Sequence, residues 1–70
     1  MNERLLKAKM AYYGDSKSSL SKYLGMANVT LANKMNSTSE FTQGEIKKII
    51  DRYHLSPDEV EQIFFAELVS

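Results

Sequence analysis

The stretch that decides the fold is "SLSKYLGMANVTLANKMN", residues 19–36, in which a glycine interrupts what otherwise reads as helix. Before it, Leu20, Tyr23 and Leu24 recur at helical spacing and form one apolar face. After it, Leu31 and Met35 lie one turn apart, which predicts a second helix over about 28–35. Gly25 tolerates the positive φ that ends a helix in a tight turn, because no Cβ meets the backbone there. Ser21 is small enough for two helix backbones to approach beside it, and Leu24, Met26 and Leu31 can all point back to a common core. The pattern is that of two short helices joined at a steep corner.

Working outward, three more helices complete the chain, and no segment has the alternation of a strand. The first runs from about residue 2 to 13, with Asn2 as cap, Leu6, Met10 and Tyr13 on one face, and Gly14 as a left-handed stop. Ser16 caps the helix that ends at Gly25. In "FTQGEI" Thr42 and Glu45 have the spacing of a capping box, and Phe41 and Ile46 that of a hydrophobic staple. Ile46, Ile49, Ile50 and Tyr53 continue as one stripe. "LSPDEV" repeats the design with Ser56 as cap, Pro57 at the first helical position, Glu59 closing the box and Leu55 facing Val60. Val60, Ile63, Phe64 and Leu68 carry the apolar face of a final helix over about 57–68, while Phe65 and Val69 lie off it. The expected fold is all-α, a bundle of five helices in one domain spanning 1–70.

Seventy residues bury only about 60% of the surface the unfolded chain exposes, which leaves no room for a deep catalytic cleft. The chain has no cysteine, so disulfides and thiolate metal sites are excluded and an intracellular setting is natural. No apolar run approaches the roughly 20 residues a membrane span needs, and the first residues lack the apolar stretch of a signal peptide. A cytoplasmic protein without membrane contact is expected. The zero net charge hides an asymmetry. Residues 1–36 carry six basic and two acidic side chains, and residues 37–70 carry three and seven. A basic half suits a polyanionic partner, and an acidic half suits solvent or a basic protein.

Catalytic and metal chemistry find no footing. His54 is the sole histidine and has no partner at ligand spacing, and Met10, Met26 and Met35 read as core packing. No nucleophile–base set, paired-carboxylate pocket or glycine-rich phosphate loop is recognisable, so neither enzyme activity nor a cofactor is expected.

The corner built from Ser21, Gly25, Met26 and Leu31 follows the logic of a helix-turn-helix. With "EFTQGEIKKII" (residues 40–50) and "LSPDEVEQIFF" (residues 55–65), the stretch 19–36 resembles the five-helix, lambda-repressor-like family of repressor and Cro-type regulators of phage and bacteria. The resemblance runs from about residue 5 to 65, with the helix-turn-helix unit at about 17–36. It implies a transcriptional regulator of a phage-type genetic switch, acting in the bacterial cytoplasm or nucleoid on a double-stranded DNA operator. The third helix would lie in the major groove, with Ala27, Asn28, Val29 and Thr30 leading and Asn33 one turn later at the base edges. Asparagine can pair with both N6 and N7 of adenine, and the methyls of Val29 or Thr30 can meet a thymine methyl. Lys17 matches a phosphate-gripping position of the family, and Lys34, Ser37 and Ser39 are candidates for further backbone contacts. The sequence departs from the family where relatives often carry arginine or lysine, at Asn33 and in "NSTSE" (residues 36–40). Phosphate neutralisation dominates DNA affinity, so binding is expected to be weak and salt-sensitive.

A protein partner is the other expectation. Phe65, Leu68 and Val69 can form an apolar ridge, either closing the core against the first helix or joining two copies. A dimer would set two reading helices about 34 Å apart on a pseudo-palindrome. Small phage proteins similar to this one also act by binding an opposing repressor and masking its DNA-reading surface. The acidic half and the weakly basic third helix both suit such an antirepressor.

Overall fold

Side-chain caps mark where the chain turns into helix. In the computed structural model, which describes residues 1–36 and 38–65, five helices follow one another. They are α1 (Glu3–Tyr12), α2 (Lys17–Leu24), α3 (Asn28–Met35), α4 (Gln43–Tyr53) and α5 (Pro57–Phe64), with no strand among the described residues. Asn2 accepts from the Leu5 amide at the start of α1. Ser16, Thr42 and Ser56 each close a reciprocal capping box, with Ser19, Glu45 and Glu59 respectively. Each box satisfies two amides that a helix start leaves bare, a saving of roughly 0.5–2 kcal/mol against alanine at the cap. Ala27, at the start of α3, offers no side chain to cap with.

Two of the stops are left-handed. Gly25 ends α2 at φ 75°, and His54 ends α4 at φ 51°. Gly14 also adopts positive φ, one residue beyond the Tyr13 cap of α1.

All five helices feed one core. Leu6 and Met10 enter it from α1, Leu20 and Leu24 from α2, and Leu31 and Met35 from α3. Ile49 and Tyr53 of α4, Leu55 of the loop between α4 and α5, and Ile63 of α5 complete it. Met26, Phe41, Ile50, Val60 and Phe64 pack against this set from outside. Two expected core tyrosines stay at the surface, Tyr13 at 43% exposure and Tyr23 at 40%. Their helices are amphipathic as expected, but Tyr13 covers the core from outside and Tyr23 is engaged by a cation at the surface. Tyr13 stacks on Tyr53 at 5.5 Å, and Tyr23 lies beneath the Arg52 guanidinium at 4.5 Å.

The ends of the bundle are tied together over long sequence distances. The Asn2 amide donates to the Ile63 carbonyl at 2.7 Å, joining the start of α1 to α5. Asp15, in the loop between α1 and α2, receives Arg52 Nε at 2.6 Å, Arg52 Nη2 at 2.8 Å and the Tyr53 hydroxyl at 2.7 Å. Ser19 adds a fourth donor at 2.9 Å. The bidentate guanidinium holds the Asp15 carboxyl well below the usual carboxylate range against the opposing effect of burial, and Tyr53 and Ser19 reinforce it. Phe65, the cap of α5, is 39% exposed, with its ring 6.4 Å from that of Phe64. Leu68, Val69 and the final turn expected to about residue 68 lie outside the described residues, as does Ser37.

Candidate nucleic-acid interface

The geometry of α3 follows from its neighbours. Leu31 and Met35 are fully buried at 0% and 1% exposure, which fixes the inner face of the helix. Ala27, Asn28, Val29, Thr30 and Asn33 are all exposed. Val29 is 65% exposed, an apolar side chain left outside the core. Val29 and Asn33, one turn apart, share the side of α3 away from Leu31 and Met35 and Thr30 flanks them, whereas Asn28 lies on the Met35 side and Ala27 is the cap before the helix.

The corner that presents them is built from α2. Ser21 is buried at 4% exposure, the polar side chain set within the core wall. Its hydroxyl lies 2.9 Å from the Ser18 carbonyl and 2.5 Å from Asn28 Oδ1, while Asn28 Nδ2 donates to Ser18 Oγ at 3.1 Å. The first residue of α3 thus grips the middle of α2, at Ser18 and Ser21, through its side chain. Lys17, next to Ser18 at the start of α2, is exposed.

Lys34 is arranged differently from the expectation that it reaches a phosphate. Its ammonium lies 2.6 Å from Glu45 Oε1, its side chain is only 12% exposed, and it sits 5.9 Å from the centre of the Phe41 ring. The same Glu45 oxygen accepts the Thr42 amide at 2.9 Å. Burial pushes the Glu45 carboxyl up, but Lys34 and the Thr42 amide outweigh it and leave the group below its ordinary value. Lys34 therefore joins the end of α3 to the start of α4, and the exposed residues of α3 lack its charge. Ser39 is exposed in the following loop, with its backbone amide turned to the Asn33 carbonyl at 3.3 Å.

Neither the Asn28 seat nor the Lys34–Glu45 pair was foreseen from the sequence. The serine spacing Ser18, Ser21 at i, i+3 was the available signal for the first. The second left no local signal, since its partners stand eleven residues apart.

Among the described residues no group of histidine, cysteine or acidic side chains is placed to hold a metal ion, and no helix is long and apolar enough to cross a membrane. No protein-family model matches the chain, and no curated protein or solved structure matches it either.

Proposed function

We propose that the protein is a sequence-specific DNA-binding regulator of a phage-type genetic switch, with α2, its turn and α3 working as a helix-turn-helix of the repressor and Cro type. The observation that carries this reading is the outer row of α3. Val29, Thr30 and Asn33 stand exposed on a helix whose other face is locked by Leu31 and Met35, and exposed Asn28 joins them at its start, against α2. A row of amides and methyls on a rigid helix is what base-edge recognition in the major groove requires. Lys17, beside the corner, is the phosphate grip, with Ser39 as a neutral backbone contact. Lys34 drops out of that role because Glu45 holds it. The regulator acts without cofactor or metal, has no enzymatic activity, and works in the bacterial cytoplasm. A gel shift tests the reading. It predicts retarded pseudo-palindromic duplexes at low salt, with Asn28→Ala and Asn33→Ala each costing about 1–3 kcal/mol of discrimination. No shift of any duplex at low salt contradicts it.

A second reading has its own observation. With Lys34 engaged, no cation stands in the exposed row of α3, which suits a protein surface better than a phosphate backbone. On this reading the protein is an antirepressor that binds the DNA-reading domain of a cognate repressor. It predicts co-elution with that repressor and release of its operator, and separate elution of the two proteins contradicts it.

A further inference from the structure

The only charged residue of α3 is Lys34, in its last turn. It stands one turn beyond Thr30, which is exposed, so its stem leaves the helix at the border of the exposed face. A lysine stem is four carbons long and flexible, and from that border two courses are open to it. One runs outward over the face proposed to meet DNA, and the other runs inward to α4. The side chain takes the second: its ammonium lies 2.6 Å from Glu45 Oε1 and 5.9 Å from the centre of the Phe41 ring. Glu45 is itself held in place, because the same oxygen accepts the Thr42 amide at 2.9 Å. The two side chains are 12% and 20% exposed, so salt screens this pair less than it screens a contact with phosphate. A phosphate must therefore outcompete a charge-assisted hydrogen bond that is already made.

We propose that Glu45 is an intramolecular competitor of the DNA backbone: it keeps Lys34 from phosphate and thereby holds operator affinity below what the chain's cations allow. The inference rests on the operator-binding reading and adds the contact that restrains it. Counterion release makes each phosphate contact visible as a step in the salt dependence, so the restraint has a countable signature. Glu45→Gln is the informative change, since glutamine at the third helical position still closes a capping box with Thr42 while the charge is lost.

The test uses the full chain and pseudo-palindromic duplexes selected from a random pool by wild type. Affinity is read by fluorescence anisotropy between about 50 and about 200 mM salt. Glu45→Gln should bind about 10-fold more tightly at the low end and about 3-fold more tightly at the high end, a salt slope steeper by about one. Combining it with Lys34→Ala should abolish the gain and return the wild-type slope. NMR of lysine ammonium groups reads the wild-type protein directly, and decides where a variant melts below the assay temperature. The Lys34 signal, assigned by its loss in Lys34→Arg, should not shift when duplex is added. Equal affinity and slope in Glu45→Gln and wild type overturn the restraint and leave operator binding intact. So does a gain that survives in the double variant, since that gain comes from lost repulsion by Glu45 and not from release of Lys34. A shift of the Lys34 signal on adding duplex to wild type also overturns it. Failure of every variant to bind any duplex overturns operator binding, and the restraint with it.

Discussion

Asp15 shows how much one residue can settle. Four donors converge on a side chain that is only 8% exposed, and two of them come from Arg52. Asp15→Asn keeps the shape but leaves the guanidinium without its counter-charge, and should cost about 2–4 kcal/mol in a urea melt. The same site sets a pH dependence. The folded carboxyl titrates below its unfolded value, so its stabilisation is full above the ordinary carboxylate range. It is lost as pH falls through that range toward the lower folded value, and wild type should therefore lose stability below about pH 4 while Asp15→Asn loses less. Parallel acid-unfolding profiles of the two proteins would contradict this. Lys34 and Lys17 make an opposite pair at the same scale. Lys34→Ala should lower stability yet leave the salt slope of DNA binding unchanged, whereas Lys17→Ala should reduce that slope by about one.

At the scale of elements, the two left-handed stops predict changes of opposite sign. Gly25 has φ 75° and nothing within 4 Å of where a Cβ would stand, so Gly25→Ala meets backbone strain alone, about 1 kcal/mol. His54 already bears that strain at φ 51°, and His54→Gly should stabilise the fold by about 0.5 kcal/mol. Thermal melts of both variants check the signs. Helix positions were largely legible because their signals are local: Thr42 with Glu45, Ser56 with Glu59 and Pro57, Ser16 before Lys17. The inner face of α3 was legible for the same reason, since Leu31 and Met35 are one turn apart. The seat of Asn28 and the surface positions of Tyr13 and Tyr23 were not. They depend on which side chain of another helix stands opposite, as Arg52 does for Tyr23 across 29 positions of sequence.

For the molecule as a whole, the charge asymmetry between the halves is partly an internal device. Lys9 pairs with Glu59, Lys34 with Glu45 and Arg52 with Asp15, and each pair joins residues 1–36 to residues 37–70. The basic half therefore meets the acidic half of its own chain before it meets a partner. That leaves Lys17 and Lys22 on α2 as exposed cations near the corner, too few for tight binding by one copy. On the proposed reading a second copy would double the contacts, with Phe65, 39% exposed at the end of α5, as an apolar residue to recruit it. Sedimentation should show self-association in wild type that Phe65→Ser abolishes, and a monomer in both would contradict that role for Phe65. The central claim, that α3 reads DNA sequence, meets its most direct test in selection from a random duplex pool at about 50 mM salt. The account predicts enrichment of adenine-containing half-sites about one helical turn apart, lost with Asn28→Ala. A pool that emerges unenriched, with no duplex retained, would contradict it.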